Sequence, residues 1–283
     1  MSYWNEIYTH FSPVAFTFLN IPVHWYGLAY VGALLLALTL ALRALKTDPK
    51  RFPISKANFE SYFLYAELGV ILGARLGYIL IYDPNTLYYL KYPWQIFNPF
   101  YEGEFIGIRG MSYHGGLIGF LVASWIFSKV KGQNFLIYLD LIAVSLPLAY
   151  VLGRIGNFLN QELFGRVVSP GDTFGKSIGI VVNGALRYPS QLIEAFLEGF
   201  CVFVVVHLAR SFTKVHGMLM VVYGFAYAVA RFCAEYYREP DAQLGYYAGH
   251  LSMGQLLSFA MAAVSSLLWL YIARTNPTLA KSS

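Results

Sequence analysis

Charged residues are scarce in this chain of 283 residues: Asp, Glu, Lys and Arg make up 12% of it, against about 25% in an ordinary soluble domain. Hydrophobic residues make up 57% and aromatic residues 18%, and the mean hydropathy is +0.51. These values exclude a typical soluble enzyme and an intrinsically disordered chain. They are typical of a polytopic membrane protein, in which Tyr and Trp concentrate at the two lipid interfaces.

Cysteine is also rare, and several catalytic signatures are missing. Cys201 and Cys233 lie in apolar stretches, so we expect small buried side chains rather than a disulfide framework or a zinc site. The sequence contains no HExxH, no GxSxG and no GxxxxGKS motif. Asp140 stands alone in its helix, so no aspartate cluster is available for magnesium. An enzyme with this sequence is expected to use no metal and no cofactor.

The net charge of +5 comes from basic residues that are scattered between apolar runs. Membrane topology and contact with anionic membrane lipid explain this distribution, and no nucleic-acid partner is predicted.

Seven stretches are long and apolar enough to cross a bilayer, which requires about 20 residues of helix. The predicted fold is all-α, a polytopic membrane protein with about seven transmembrane helices. The predicted spans are residues 26–42, 59–82, 115–130, 135–152, 191–209, 218–236 and 253–273.

The basic residues predict the orientation of these spans, because Lys and Arg concentrate in cytoplasmic loops. No Lys or Arg precedes residue 26, so we expect the amino terminus outside and the carboxyl terminus in the cytoplasm. The connection between the first two spans contains Arg43, Lys46, Lys50, Arg51 and Lys56.

Two outer connections, residues 83–114 and 153–190, are longer than a turn requires. Both contain aromatic residues, glycines and charges, which indicates folded caps or interfacial segments rather than slack linkers. No domain boundary and no convincing repeat is evident. We therefore expect a single integral membrane domain over residues 1–283, with the two connections capping its functional site.

Ionisable residues within spans are costly and mark candidate functional sites. In the second span, Glu60, Glu67 and Arg75 fall on one helical stripe and are predicted to face the bundle interior. Another face of this span has glycines at residues 69, 73 and 77, a spacing that favours close helix packing.

The fifth span contains Glu194 and Glu198 one helical turn apart, and these like charges repel each other. Either one carboxyl is protonated or a cation from another helix lies between them. The sixth span contains Tyr227, Arg231 and Glu235 on one face. Arg231 and Glu235 either neutralise each other or take part in chemistry.

The segment 153–166 follows the fourth span and is too polar for a lipid-facing helix. Arginine can bind a phosphate with two hydrogen bonds, and asparagine can bind ester carbonyls and hydroxyls. An interfacial loop among lipid headgroups is the alternative. The polar residues here are Arg154, Asn157, Asn160, Glu162 and Arg166.

His114 begins the third span and is followed by two glycines, which would give a substrate close access. Histidine moves protons near neutral pH, so His114 is either a catalytic candidate or a packed interfacial residue.

With these motifs, the chain resembles bacterial prolipoprotein diacylglyceryl transferase over nearly its whole length. The segment 153–166 is the most specific part. The matching motifs are HWYG from His24, ARLGY from Ala74, MSYHGG from Met111, GRIGNFLNQELFGR from Gly153, YPSQLIEAFLEG from Tyr188, REPDAQLG from Arg238 and SMGQLLS from Ser252.

The resemblance implies transfer of the sn-1,2-diacylglyceryl group from phosphatidylglycerol to the lipobox cysteine of a prolipoprotein. The products are a thioether and glycerol phosphate. The implied partners are phosphatidylglycerol, the prolipoprotein signal peptide with its lipobox cysteine, and membrane lipid. The implied location is the bacterial cytoplasmic (inner) membrane, where the protein is multi-pass and its active site lies toward the outer face.

The resemblance also implies roles for individual residues. Arg154 would hold the lipid phosphate, Arg231 would be a second cation near the reacting centre, and His114 or the arginines would activate the thiol. The residues that would line or brace the lipid cavity are Tyr26, Asn157, Asn160, Glu162, Gly165, Arg166, Tyr227 and Glu235.

Two other functions stay open from the residues alone. A lipid or solute carrier would also bury charges among its helices, but broken helices near the midplane and a repeated half are not evident. A phospholipid-dependent transferase with a small acceptor is the second alternative, because the cysteine acceptor comes only from the resemblance.

Overall fold

The structure is a computed structural model that describes residues 2–101, 103–105, 110–239, 246–247 and 251–276. Helices dominate the described part of the chain. The long helices are α1 Trp25–Thr47, α2 Lys56–Ile81, α4 Tyr113–Val130, α5 Phe135–Leu159, α9 Met218–Ala234 and α10 Met253–Thr275. One further long helix is composite: α7 Ser190–Glu194, a π-helical segment Ala195–Cys201 and α8 Val202–Phe212.

Short elements connect these helices. Two short helices are α3 Thr86–Lys91 and α6 Thr173–Ile178, and two 3₁₀ turns are Ile7–Thr9 and Pro93–Phe97. Four two-stranded antiparallel hairpins complete the described elements: β1 Val14–Phe18 with β2 Ile21–His24, β3 Phe100–Tyr101 with β4 Glu104–Phe105, β5 Ile180–Val182 with β6 Ala185–Arg187, and β7 Tyr246–Tyr247 with β8 Leu251–Ser252.

Every predicted span coincides with one of these helices. Five helices are long and apolar enough to cross a membrane, Met218–Ala234 is a shorter apolar helix, and α4 covers the predicted third span. The all-α, polytopic membrane fold is therefore confirmed, while the number of spans and the orientation stay predictions. The boundaries differ by a few residues, most at the fourth span, which is predicted to end at residue 152 although α5 continues to Leu159. This places the first polar residues of the segment 153–166 on a helix.

The chain divides into two compact units, a larger unit of Met1–Phe52 with Leu139–Ser283 and a smaller unit of Pro53–Tyr138. In the smaller unit, α2 and α4 approach along glycines. A Cβ atom added to Gly73 would lie 2.3 Å from the carbonyl oxygen of Gly115, and one added to Gly69 would lie 2.6 Å from that of Gly119. Such distances leave no room for a side chain, so the predicted packing role of the glycine ladder is confirmed.

Arg75 of the smaller unit is buried and binds backbone. Its Nε atom donates to the carbonyl of Ile96 at 2.6 Å, and Nη1 donates to that of Gly110 at 3.2 Å. Arg75 thus faces the interior of its unit, as predicted. Glu67 is half-buried, and Glu60 is exposed, with its carboxylate 3.6 Å from Lys56 Nζ. The prediction was wrong for Glu60, because it lies in the first turns of α2, where Lys56 precedes it by four residues.

A buried ionic contact fixes one end of the larger unit. Asp140 of α5 is fully buried and accepts hydrogen bonds from the backbone N–H groups of Gly217 at 2.9 Å and Met220 at 3.1 Å. It therefore caps the amino terminus of α9 from a neighbouring helix. Arg51 Nη2 lies 3.7 Å from Asp140 Oδ2, and Arg51 Nη1 donates to the carbonyl of Thr213 just after α8.

The amino-terminal residues contact the connection 153–190 within the larger unit. Trp4 Nε1 donates to the carbonyl of Ile178 at 2.7 Å, and the backbone N–H of Val181 donates to the carbonyl of Asn5, also at 2.7 Å. Phe158 and Ile180 form a small apolar core beneath these contacts. The segment is thus folded around its own core.

The expectation that both cysteines are buried was wrong. Cys233 is exposed and Cys201 is partly exposed, and both line an apolar groove of about 530 Å³ between the residues 197–205 and α9. In a membrane protein, apolar side chains on the outer surface meet lipid, so their apolar surroundings in the sequence do not require burial within the protein.

Candidate active site

Arg154 lies near the end of α5 and is held on two sides. Its Nη2 atom forms an ion pair with Glu194 Oε2 at 2.8 Å. Its Nε atom donates to the hydroxyl of Tyr150 at 2.6 Å, and that hydroxyl donates to Glu198 Oε2 at 2.5 Å. Two short hydrogen bonds through Tyr150 therefore connect Arg154 to Glu198, and an ion pair connects it to Glu194.

Arg231 of α9 reaches the same two glutamates from the other side. Its Nη1 atom lies 3.2 Å from Glu198 Oε1 and 3.6 Å from Glu194 Oε2, and its Nη2 atom lies 2.6 Å from Glu235 Oε2. The two like charges of the fifth span are therefore bridged by cations from other helices, one of the two arrangements that the sequence left open. Arg231 contacts three carboxylates, so its ion pair with Glu235 in the same helix is only one of its three ionic contacts.

Two more contacts complete the arrangement. Arg238 Nη1 lies 3.5 Å from Glu194 Oε1, and Ser252 Oγ donates to Glu235 Oε1 at 2.9 Å. Three guanidinium groups thus face three carboxylates, and their formal charges cancel. We call these six residues the arginine–glutamate cluster: Arg154, Arg231, Arg238, Glu194, Glu198 and Glu235.

The carboxylates of the cluster are more deeply buried than its arginines. The side chains of Glu194 and Glu198 are 1% and 0% exposed, whereas those of Arg154 and Arg231 are both 15% exposed. Desolvated carboxylates require partners, and the arginines, which are partly exposed, provide them. Donors that are not used inside can therefore meet a ligand.

Arg154 has N–H groups that are available to bind a ligand. A guanidinium has five N–H groups. The hydrogen bonds of Arg154 to the described residues use Nε and one N–H of Nη1, the latter to Asn157 Oδ1 at 3.5 Å. Nη2 forms an ion pair with Glu194 Oε2 but no hydrogen bond to it. N–H groups on both Nη1 and Nη2 are therefore left by these contacts, enough for two hydrogen bonds to one phosphate.

The π-helical segment Ala195–Cys201 lies directly at the cluster, with Glu194 before it and Glu198 within it. A π-helical turn contains an extra residue and is frequent at functional sites. A hypothetical Cβ on Gly199 would lie 2.4 Å from the side chain of Val151, so the composite helix and α5 lie very close here. This close approach is what brings Tyr150 within reach of Glu198.

The asparagines of the predicted motif fall on both sides of the end of α5. Asn157 is buried, and its Nδ2 atom donates to Glu162 Oε1 at 2.8 Å. Asn157 therefore connects Arg154 to Glu162. The Oδ1 atom of Asn160 is buried and has no hydrogen-bond partner within the described ranges. A buried acceptor of this kind is costly unless a ligand or water satisfies it.

Gly165 and Arg166 have structural contacts. A Cβ on Gly165 would lie 2.3 Å from the carbonyl oxygen of Tyr237 and 2.8 Å from that of Tyr188, so only glycine fits. Arg166 donates from Nη2 to the carbonyl of Glu235 at 3.0 Å. These contacts attach the segment 153–190 to the end of α9, and so hold the arginines of α5 and α9 together.

The two predicted tyrosines differ in their surroundings. Tyr26 lies in the first turn of α1 and is 44% exposed; its Cα atom lies 3.6 Å from where a Cβ on Gly156 would be. Tyr227 lies on α9, one turn before Arg231, with its ring 6.1 Å from that of Tyr150 in an edge-on contact. Tyr227 therefore packs against a residue that bridges the cluster.

His114 belongs to the smaller unit and lies in the first turn of α4, where its side chain is exposed. Ser112 caps this helix by accepting from the N–H of Gly115 at 3.2 Å. The ring of His114 lies 5.8 Å from that of Tyr113. Its predicted role in proton transfer stays a prediction.

Tyr150 and Ser252 were not among the residues predicted from the sequence. Tyr150 precedes Arg154 by four residues, the spacing that places side chains on one helix face, so this signal was present. Ser252 contacts Glu235 while it caps α10 together with Gln255. No signal in the sequence distinguishes it from an ordinary capping residue.

The fold and the cluster define a class: a polytopic helical membrane protein with arginines and glutamates buried among its helices. Within that class the chain belongs to the prolipoprotein diacylglyceryl transferase family, which matches residues 13–271. Among the described residues, no group of three or more His, Cys, Asp or Glu side chains is placed to hold a metal ion.

Similar proteins cover almost the entire chain. A Helicobacter pylori strain J99 protein is 61% identical over 98% of both chains, and one from Helicobacter acinonychis is 60% identical over 98% of both. A Wolinella succinogenes protein is 57% identical over 96% of this chain and 97% of its own. Each is named phosphatidylglycerol--prolipoprotein diacylglyceryl transferase.

Proposed function

We propose that the arginine–glutamate cluster is the active site of a phosphatidylglycerol–prolipoprotein diacylglyceryl transferase. The chain moves the diacylglyceryl group from phosphatidylglycerol to a prolipoprotein. The acceptor is the thiol of the lipobox cysteine at the end of the signal peptide. Its sulfur bonds to the terminal glyceryl carbon, the bond from that carbon to the phosphate oxygen breaks, the thiol proton is lost and glycerol phosphate leaves.

One observation supports this proposal most strongly: the guanidinium groups of Arg154 and Arg231 form ion pairs with fully buried carboxylates and are themselves partly exposed. The glutamates fix the arginines in position before a substrate binds, so little reorganisation is needed when charge develops. Donors that are held in place and aimed at a developing negative charge lower the barrier by several kcal/mol.

Arg154 is assigned to the phosphate of phosphatidylglycerol. Its planar group has N–H groups on Nη1 and Nη2 left for a bidentate contact, and its Nε atom is fixed by Tyr150. Arg231 is assigned to the reacting centre, where it stabilises the phosphate oxygen that becomes the leaving group. Both roles require a guanidinium rather than an ammonium group, because only the guanidinium offers parallel donors.

Activation of the thiol has two candidates. An ordinary cysteine thiol has a pKa of about 8.5, so only a few per cent is thiolate at pH 7. Either the exposed imidazole of His114 accepts the proton, or the positive charge of the arginines lowers the pKa of the bound thiol. The pH dependence of a His114→Gln variant separates them: loss of the limb on which activity falls at acidic pH indicates His114, because a base must be deprotonated to act, and an unchanged profile indicates the arginines.

The remaining predicted residues divide into ligands and supports. Asn160 is assigned to the lipid, because its buried Oδ1 atom can accept a headgroup hydroxyl. Tyr26 is assigned to the lipid as well, because its side chain is exposed and can contact an acyl chain or headgroup. The supports are Asn157, Glu162, Gly165, Arg166, Tyr227 and Glu235, which hold Arg154 and Arg231 through the contacts described above.

The cellular setting belongs to the same proposal. The chain is a multi-pass protein of the bacterial inner membrane, with the cluster toward the outer face, where secreted prolipoproteins emerge. The connection 153–190, which Gly165 and Arg166 attach to the end of α9, caps the site from that face. The reaction uses no metal and no cofactor, since the leaving phosphate is stabilised by arginines.

The test uses the purified full chain in liposomes with phosphatidylglycerol, a lipobox peptide and a metal chelator. We expect glycerol phosphate release that depends on Cys at the acceptor position and is lost with Ser. No release from folded, lipid-loaded protein would contradict the proposal and favour a carrier, which flux across sealed liposomes would then test. Transfer to a small thiol in place of the peptide would indicate a different acceptor.

Arg154→Lys and Arg231→Lys test the assigned roles and keep the charge of the cluster. We expect each to reduce transfer about 100-fold or more, as the loss of one transition-state donor does. The matched control is Arg274→Lys, at an exposed position in the last turn of α10, which should keep wild-type transfer. Wild-type transfer by either folded cluster variant would remove that residue from the mechanism.

A further inference from the structure

A second basic site lies in the larger unit, at the opposite end of the helices from the cluster. It is a cavity of about 300 Å³ between the last turns of α1 and α8, with α5 behind it. Its apolar lining is Leu40, Ala44, Val144 and Phe203, and its polar lining is Arg43, Thr47, His207 and Arg210.

We infer that this cavity binds the phosphate group and glyceryl backbone of an anionic phospholipid in the leaflet at the carboxyl-terminal end of α1. The predicted orientation makes this the cytoplasmic leaflet. This site is separate from the one proposed for transfer: Arg210 of α8 lies twelve residues beyond Glu198, roughly 18 Å along the helix. It binds lipid without reacting with it.

The charges around the cavity favour an anion. Arg210 is partly neutralised, since its Nε and Nη2 atoms lie 3.4 Å from Asp48 Oδ2. Arg43 is exposed and has no ion pair within the described ranges. The neighbouring pair of Arg51 and Asp140 cancels, so the cavity keeps a net positive charge from Arg43.

The carboxyl-terminal carbonyls of helices oppose an anion, but here they have partners. Arg51 donates to the carbonyls of Arg210 and Thr213 at the end of α8, and the Thr47 hydroxyl donates to the carbonyl of Arg43 at 2.9 Å in α1. The negative ends of both helices are therefore partly neutralised. Basic pockets between transmembrane helices on the cytoplasmic side are a known type of site for anionic headgroups.

The shape of the cavity favours a lipid over free phosphate. Leu40 lies seven residues before Thr47, roughly 10 Å deeper along α1, so the basic end continues into an apolar end. The ring of His207 is fixed against Phe203 by a hydrogen bond from Nδ1 to the Phe203 carbonyl at 3.0 Å. A volume of 300 Å³ is about ten times that of a liquid water molecule, sufficient for a phosphate and a glyceryl group, with the acyl chains continuing along the outer surface.

The experiment uses the full chain in phosphatidylcholine liposomes with a small fraction of phosphatidylglycerol that carries a photoreactive diazirine near the ester groups. After illumination, digestion and mass spectrometry identify the labelled peptides. We expect label on the peptides that contain residues 40–47 and 203–210. Unlabelled phosphatidylglycerol should compete, whereas excess phosphatidylcholine and millimolar inorganic phosphate should not.

Arg43→Gln provides the variant, and Lys46→Gln is its matched control, because Lys46 lies on the same helix end but does not line the cavity. We expect Arg43→Gln to lower the apparent affinity about fivefold, the effect of one basic residue near an anionic surface, and Lys46→Gln to change it less than twofold. Neither residue takes part in the cluster, so transfer should be unchanged in both.

Three outcomes would overturn the inference: equal competition by phosphatidylcholine, which indicates ordinary surrounding lipid; equal competition by inorganic phosphate, which indicates a site for the free ion; and labelling that is the same in Arg43→Gln. Labelling is also measured in the Arg154→Lys variant, which is proposed to lack transfer. Label that persists on residues 40–47 and 203–210 in this variant shows that the cavity binds lipid whether or not the proposed transfer takes place.

Discussion

Removing the carboxylate of Asp140 should destabilise the protein without disturbing the cluster. Asp140 is fully buried, and its carboxylate contacts the backbone N–H of Gly217 at 2.9 Å, that of Met220 at 3.1 Å and the guanidinium of Arg51 at 3.7 Å. In Asp140→Ala both N–H groups lose their acceptor and Arg51 loses its counter-charge. All three consequences act at the same end of the helices.

The size of the effect follows from these contacts. A buried donor without a partner costs about 1–3 kcal/mol, and breaking a buried ion pair from one side costs about 3–5 kcal/mol. The contributions share one carboxylate and do not add, so we expect Asp140→Ala to lower the free energy of unfolding by about 3–5 kcal/mol. Asp140→Asn keeps one acceptor oxygen, and the expected loss is about 1–3 kcal/mol.

The assay is unfolding in mixed micelles by sodium dodecyl sulfate, followed by the fluorescence of the five tryptophans. Ser145→Ala is the matched control, because Ser145 is also buried in α5 but its hydroxyl donates only within the helix, to the carbonyls of Leu141 and Ile142. Its expected cost is below about 1 kcal/mol.

Transfer by the folded fraction of Asp140→Ala should stay at the wild-type level. Arg154 is fourteen residues further along α5, which is roughly 21 Å. A change in the free energy of unfolding below 1 kcal/mol would refute the capping role. A normal free energy of unfolding with lost transfer would show that Asp140 acts on the cluster instead.

Three further predictions concern a bridge, a helix contact and pH. Tyr150→Phe should lower kcat/KM for phosphatidylglycerol about 10- to 100-fold, because hydrogen bonds to charged groups contribute about 1.5–3 kcal/mol; Tyr271→Phe, at an exposed position, is the control, and equal kinetics in the two variants would contradict the bridge. Gly73→Ala should cost about 1–3 kcal/mol through its clash with Gly115, measured by thermal unfolding, whereas Gly32→Ala meets only Leu152 at 3.7 Å and should be neutral; equal unfolding temperatures would exclude the clash. Burial first, and then the charge of Arg51, lower the pKa of His216 below its ordinary value of 6.5, so the unfolded chain binds a proton more readily. Stability should therefore fall as the pH drops from 7.5 to 5.5, and His216→Asn should lose part of that dependence; an identical pH dependence would remove His216 as its source.

The helices were predictable because the bilayer imposes their length. A span needs about 20 apolar residues, and each predicted stretch coincides with a helix of the structure. The glycine ladder of α2 was predictable for a similar reason, since only small residues let two backbones approach within the distances seen at Gly69 and Gly73. Glu60 was misplaced because the stripe argument ignores where a helix leaves the apolar region.

The candidate site was predictable only in part. Arg231 and Glu198 stood out because charges in an apolar span require a reason, and Arg154 stood out because it lies in an unusually polar segment directly after a span. Tyr150 did not, since a tyrosine in an apolar helix resembles any other aromatic residue until its hydroxyl is seen between Arg154 and Glu198. Gly165 was selected for the site through the family resemblance, and the structure gives it a steric reason instead.

The sequence by itself determined the helical membrane fold and the family. It also determined the contacts between side chains one helical turn apart on the same face. The pair of Arg231 and Glu235 is of this kind, because four residues bring two side chains to the same face. The tertiary structure alone decided which carboxylate meets which guanidinium across helices, as in Arg154 with Glu194 and Arg51 with Asp140. Those pairs are 40 and 89 positions apart, and their distances depend on how the helices pack, which no local pattern contains.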